Sequence, residues 1–142
     1  MSLFDTLLSV DNAAAFEPQT AKFKSRKLQK ITGAKKPVEI TLKEIPYKKF
    51  NDLLSRQFDK KNGNFDFSAA MRAKALLAAE GIAEPNLKSE ELRTHFGCAT
   101  PADLAEKLFG AELNDISDKI SELCGFSQSE EEAEEEFEEI KN

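Results

Sequence analysis

The residue pair in this chain best suited to chemistry is His95 and Cys98, which lie three positions apart. An imidazole and a thiolate at this spacing could share a metal ion, or could act as base and nucleophile. A structural zinc ion takes four ligands, however, and the chain has one histidine and a single further thiol, Cys124. An isolated cysteine is usually a small buried apolar residue. We therefore expect no metal, no cofactor and no catalytic residue at this pair.

A second weak pattern lies between Asp59 and Asn64, which partly resembles a calcium-binding loop. Lys61 stands where such a loop has its third-position ligand, and Gly63 comes one position early. We interpret this segment as a turn. The sequence also contains no glycine-rich phosphate-binding loop. Because no nucleophile–base pair or metal set can be assembled, the sequence predicts a protein that is not an enzyme.

Nucleic-acid binding needs cationic donors, and two segments compete for that role. The helix–glycine–helix layout from Ser89 to Phe109 resembles a helix-turn-helix, but its second helix carries two acids and one lysine. A basic run is the better electrostatic candidate, although lysines on an edge strand also prevent unwanted sheet pairing. The alternative function is thus a small nucleic-acid-binding regulator, with a glutamate-rich tail as intramolecular competitor. The basic run comprises Lys22, Lys24, Arg26, Lys27, Lys30, Lys35 and Lys36.

The elements that carry these residues predict a mainly α fold of the α+β class, in which an N-terminal β-hairpin precedes a bundle of short helices. Alternation predicts strands over 22–31 and 38–43, joined by a turn at 32–37. Apolar residues at helical spacing, with glycine stops, predict the helices that follow. Ser68 is a predicted cap, and so is Thr100, which Asp103 follows three residues later as in a capping box. These helices begin near Pro46, Ser68, Ser89, Pro101 and Glu112, and the last four stop at Gly81, Gly97, Gly110 and Gly125. Phe126 is expected to fold back onto the last helix.

Three regions are expected along the chain. Residues 1–20 form an N-terminal amphipathic segment and loop, residues 21–126 the hairpin and helical domain, and residues 127–142 an acidic tail that we expect to be flexible. The formal net charge is −6. All of it lies in the tail, because the eight glutamates and one lysine from Gln128 onward contribute −7. Such a tail is typical of a solubilising extension.

Two sets of apolar residues are candidates for binding a partner. The first lies on one face of a predicted helix over 2–10, a face that also suits packing onto the core. The second lies in the tail, where spaced apolar residues within an acidic segment can dock as a helix. The candidates are Leu3, Phe4, Leu7 and Leu8 in the first set, and Phe137 and Ile140 in the second.

Compartment follows from what the sequence lacks. Residues 3–8 are too short and too polar for the apolar region of a secretory signal, and no apolar run approaches the length of a membrane span. Two cysteines in separate helical segments are not a disulfide framework. A reducing cytosol is therefore expected.

Several stretches, in their order and spacing, resemble one protein family. They are ITLKEIPYKKF (40–50), FSAAMRAKAL (67–76), FGCATP (96–101), KISELCGF (119–126) and KN (141–142). From about Lys22 to its end, the chain is similar to the XkdN-like tail assembly chaperones of long-tailed phages and prophages.

The resemblance implies a protein that is not an enzyme, acts in the cytoplasm of the bacterial host and is absent from the mature virion. It implies binding to the long, helical tape measure protein, which the chaperone keeps soluble while helping to recruit tail tube subunits. The family often has a longer product made by ribosomal frameshifting, and codons for Ile140 to Asn142 can contain a slippery adenine run. That longer product and a second copy of the chain are further partners to consider; nucleic acid and membranes are not expected.

Overall fold

The computed structural model describes residues 2–57 and 63–126. The elements within these ranges are α1 (Leu3–Leu8), α2 (Asn12–Ala15), β1 (Thr20–Ser25), α3 (Arg26–Thr32), β2 (Val38–Lys43), α4 (Tyr47–Ser55), α5 (Phe67–Gly81), β3 (Ile82–Glu84), α6 (Glu90–His95), α7 (Pro101–Phe109), a 3-10 turn (Gly110–Glu112) and α8 (Leu113–Leu123). The predicted mainly α, α+β class is confirmed. The acidic tail and most of the turn predicted at 59–64 lie outside the described residues. No helix in these two ranges is long and apolar enough to cross a lipid bilayer.

The strands form one antiparallel sheet in the order β1-β2-β3. β1 and β2 pair over their full length, from Thr20 opposite Lys43 to Ser25 opposite Val38. β3 pairs along the other side of β2, with Ile82 opposite Leu42. The sequence did not predict β3, because a strand of three residues is too short to show alternation.

The strand predicted over 22–31 is wrong in its second half, where residues 26–32 form α3. Ser25 starts this helix: its hydroxyl oxygen accepts a hydrogen bond from the Leu28 N–H at 3.0 Å. Gly33 ends the helix with a left-handed backbone, at φ of 73°. Leu28 is buried and anchors α3 to the core. β1 and β2 are therefore adjacent antiparallel strands, as in the predicted hairpin, but α3 lies between them in the sequence in addition to the turn predicted at 32–37.

The core lies where α5 packs against α7 and α8, and where the sheet meets α8. Its largest fully buried side chains are Phe50, Phe109, Ile40, Leu42, Leu87, Leu104, Ile116 and Ile120. They come from β2 of the sheet, from the three helices α4, α7 and α8, and from the loop after β3. The predicted apolar faces of α4, α7 and α8 thus supply the interior.

Two helix starts show how well capping could be predicted. The Thr100 hydroxyl accepts a hydrogen bond from the Asp103 N–H at 3.1 Å, as the spacing of these two residues predicted. α5 is capped by Asp66, whose carboxylate accepts a bond from the Ala69 N–H at 3.1 Å. The cap predicted at Ser68 is therefore two residues too late.

Phe126 was predicted to fold back onto α8; its backbone does so, and its ring stacks on α4. Its N–H donates a hydrogen bond to the Ser121 carbonyl at 2.9 Å, and its ring stacks on Phe50 of α4 with centroids 4.8 Å apart. The contact joins the end of α8 to the start of α4. These two contacts fix the position of Phe126, the last described residue, beside α4.

α5 ends at Gly81, as predicted, and this glycine is buried. A Cβ at this position would lie 2.5–2.9 Å from three side-chain atoms of Ile120. The glycine therefore permits α5 and α8 to approach closely and does not supply a left-handed turn.

Candidate partner-binding surfaces

α1 is made helical by its own short-range hydrogen bonds. The Ser2 hydroxyl accepts a bond from the Asp5 N–H at 3.1 Å and donates to the Asp5 carboxylate at 2.8 Å. At the other end, the Ser9 hydroxyl donates to the Thr6 carbonyl at 2.7 Å. An acid in the first turn also interacts favourably with the helix dipole. These contacts define a helix that buries none of its residues.

The apolar face of α1 is exposed. The exposed fractions are 74% for Leu3, 70% for Phe4, 62% for Leu7 and 71% for Leu8. Val10 and Phe16 are also apolar and exposed. The sequence analysis did not select them, because Val10 is the last residue of the predicted helix and Phe16 lies beyond it. We call these six residues the N-terminal apolar surface. Apolar side chains concentrated on a surface are typical of a binding site.

The second predicted pair of binding residues, Phe137 and Ile140, lies outside the described residues. A six-residue helix has little stability on its own in water. A partner that packs against the apolar face of α1 would therefore stabilise this helix.

The basic run forms a second distinct surface, on β1, α3 and the segment that follows. We call its seven side chains, Lys22, Lys24, Arg26, Lys27, Lys30, Lys35 and Lys36, the basic surface. All are exposed except Lys27, which is half-buried. Lys22 donates a hydrogen bond to the Thr41 hydroxyl at 2.7 Å. None of the seven forms an ion pair with a residue in 2–57 or 63–126.

The helix considered for DNA recognition, α7, uses its charges within the protein. Arg72 of α5 contacts Asp103 at 3.0 Å and Glu106 at 2.9 Å. Hydrogen bonds from Thr100 and then from Arg72 hold the pKa of Asp103 below its usual value. Lys107 donates to a backbone carbonyl of the preceding loop at 2.6 Å. These contacts agree with the expectation that α7 is not a recognition helix.

The histidine and the cysteines hold structural positions. The His95 ring packs edge-on against Phe96, with centroids 4.9 Å apart, and the Cys98 thiol donates to the Phe96 carbonyl at 3.7 Å. Cys124 accepts a bond from the Ile45 N–H at 3.4 Å. Burial raises the pKa of the Cys124 thiol, which disfavours the reactive thiolate. The described residues contain no group of three or more side chains suited to holding a metal ion.

A cleft of about 430 Å³ lies between the end of β3 and α6. Its lining residues are Glu84, Pro85, Asn86, Ser89, Glu91, Leu92 and His95. The Ser89 hydroxyl accepts a bond from the Leu92 N–H at 3.2 Å and is thereby used as a helix cap. Within the part of the chain that the structure describes, no hydrogen bond joins His95 to a hydroxyl or a thiol. The cleft therefore does not present a nucleophile–base pair.

Comparison with known proteins adds a family and a fold. A family model described as phage XkdN-like tail assembly chaperone protein matches residues 4–141. The fold is similar to the crystal structure of the protein yqbn, at a TM-score of 0.54 and 21% identity, over 84% of this chain and 100% of that one. At this identity, the structural similarity shows a shared fold alone. No curated protein matches the chain.

Proposed function

The chain belongs to the phage XkdN-like tail assembly chaperone family, and from this membership we propose that it binds the tape measure protein, keeps it soluble and helps to recruit tail tube subunits. The resemblance noted in the sequence is thereby confirmed at the level of the family. The proposed setting is the cytoplasm of the bacterial host during tail assembly, before the virion is complete.

The observation that carries the proposal is the N-terminal apolar surface. Its four helical members, Leu3, Phe4, Leu7 and Leu8, are each more than 60% exposed. Before the tail tube forms around it, the long helical tape measure protein needs a partner that shields its apolar surface reversibly. A short amphipathic helix can do this by packing its apolar face against that surface. The charged remainder of the protein would keep such a complex in solution.

Substitution of two surface leucines tests this proposal. We expect Leu7→Ser/Leu8→Ser to weaken binding of the tape measure protein by at least about tenfold, since each buried leucine contributes on the order of 1.5–3 kcal/mol. The measurement is the soluble fraction of the tape measure protein from the same genome, coexpressed with each variant. Circular dichroism should not change, because both side chains are exposed.

The matched control is Ile31→Ser/Tyr47→Ser, which removes two exposed apolar side chains from other elements. This variant should solubilise the tape measure protein as well as the unchanged chain does. If both variants solubilise the tape measure protein equally poorly, the effect comes from the loss of exposed apolar side chains in general and not from α1. Loss of helical signal in the leucine variant would instead show that the substitutions unfold α1, and the loss of binding could then not be assigned to the two side chains.

A second candidate function, binding of nucleic acid by the basic surface, is favoured by one observation: its seven cationic side chains form no ion pair with the described residues. The two functions differ in their response to salt. Phosphate binding weakens steeply as salt rises, whereas capture of an apolar helix changes little. Binding measured at two salt concentrations therefore separates them.

A further inference from the structure

The basic surface carries seven positive charges, and none of them forms an ion pair with the residues that the structure describes. The nearest candidate on the neighbouring strand is Glu39, which lies opposite Lys24 in the sheet register but forms no ion pair with it. The Glu112 carboxylate also approaches this region, but it accepts bonds from the Ser25 hydroxyl at 2.7 Å and from the Arg26 backbone N–H at 3.0 Å. It therefore caps α3 and leaves the Arg26 guanidinium without a carboxylate partner among the described residues.

The complementary charge lies in the chain itself. Residues 127–142 contain eight glutamates and one lysine, a net charge of −7 against the +7 of the basic surface. No other stretch of the sequence has a comparable excess of acids. Opposite charges at high local density attract strongly when a short tether keeps them together.

The last described residue shows where this acidic segment starts. Phe126 stacks on Phe50, and Cys124 contacts the Ile45 backbone, two residues beyond the end of β2 at Lys43. Lys43 pairs with Thr20, the first residue of β1. The acidic segment therefore begins at the end of the sheet where the strand that carries the first basic residues also begins.

The acidic segment is long enough to cover the basic surface. β1 has six residues, a span of about 20 Å at 3.3 Å per residue. The 16 residues from 127 to 142 would reach about 24 Å as a helix and about 55 Å when extended. Either length passes β1 and reaches α3, where exposed Ile31 offers an apolar contact among the lysines.

We propose that residues 127–142 bind the basic surface of the same molecule and cover it against nucleic acid and other polyanions. Glutamates pair with the seven cationic side chains, and Phe137 or Ile140 contacts Ile31. The contact is electrostatic and reversible, so a more strongly charged competitor or high salt releases the acidic segment. The proposal concerns a surface other than α1 and stands independently of tape measure binding.

The test uses the full chain in two forms, unchanged and with its eight glutamates from Glu130 to Glu139 replaced by glutamine. Backbone amide shifts of residues 22–36 are recorded by NMR at about 0.02 M and about 0.5 M salt. We expect the two forms to differ across these residues at low salt and to converge at high salt. Shifts in the unchanged chain should be independent of a tenfold dilution, because the contact is intramolecular.

The control, Ser127→Ala/Gln128→Ala/Ser129→Ala, changes the same segment without altering its charge and should match the unchanged chain.

Binding to immobilised heparin gives a second readout. We expect the glutamine variant to be retained and to elute only with added salt. The unchanged chain should elute at a salt concentration at least severalfold lower. Equal retention of both forms would overturn the proposal. So would shift differences centred on Lys48 and Lys49 in place of residues 22–36, or shifts that depend on concentration, which would indicate pairing between two copies. Failure of α1 to bind the tape measure protein would leave all these measurements unchanged.

Discussion

Gly81 shows how one missing side chain sets the distance between two helices. Its position leaves no room for a Cβ, since the nearest Ile120 atom would lie 2.5 Å away. Ile120 is itself fully buried, so it has little freedom to move. The close packing of α5 on α8 therefore depends on a glycine that has ordinary helical backbone angles.

We expect Gly81→Ala to lower the free energy of unfolding by about 1–3 kcal/mol, the usual cost of an additional methyl group in a packed core. Adding Ile120→Val, which removes the nearest methyl group, should restore part of this loss. The measurement is urea unfolding of the single and double variants. If the two changes simply add, the contact with Ile120 is not the cause of the destabilisation.

At the scale of elements, α5 and α7 are joined both by apolar packing and by charge. Arg72 contacts Asp103 and Glu106 across the two helices, and these bonds raise the pKa of its guanidinium, the bond to Glu106 most. The side chains involved are, however, between 41% and 47% exposed, so water screens the attraction. Leu104 on α7, by contrast, is fully buried.

We therefore expect Arg72→Ala to lower the free energy of unfolding by less than about 1 kcal/mol, and Leu104→Ala to lower it by about 2–5 kcal/mol. Both values come from urea unfolding at one pH. Added salt should reduce the effect of the arginine change and leave the leucine change as it is. A larger effect for the arginine would mean that charge, not packing, holds these helices together.

Elements with strong local signals could be predicted from the sequence. These signals involve residues within one or two helical turns of each other. Examples are the apolar spacing in α4, α7 and α8 and the capping pair Thr100 and Asp103. α3 was not predicted, because the partial alternation from Lys22 to Ile31 is typical of a strand. The helix is stabilised instead by the burial of Leu28 and by the cap at Ser25. β3 exists only because β2 lies beside it, and no pattern of three residues shows that.

At the scale of the whole molecule, the candidate site was only partly accessible to sequence reasoning. The spacing of the α1 residues suited both core packing and docking, and only the tertiary structure shows that this face is exposed. Phe16 lies beyond the predicted helix, so helical spacing does not mark it. The basic surface could be predicted from charge alone, because a run without acids leaves its lysines exposed in almost any fold.

Charge is also unevenly distributed over the whole molecule, and this determines where it should be least soluble. The sequence has a formal net charge of −6 and an isoelectric point of about 5.0. Replacing the eight tail glutamates by glutamine changes the net charge at neutral pH to +2. Because a protein associates most readily near zero net charge, we expect the solubility minimum to move from near pH 5 to above pH 7. The measurement is turbidity across this pH range at low salt, where the alanine variant of residues 127–129 should behave like the unchanged chain. A minimum that stays near pH 5 in the glutamine variant would show that the folded surface, and not the acidic segment, governs solubility.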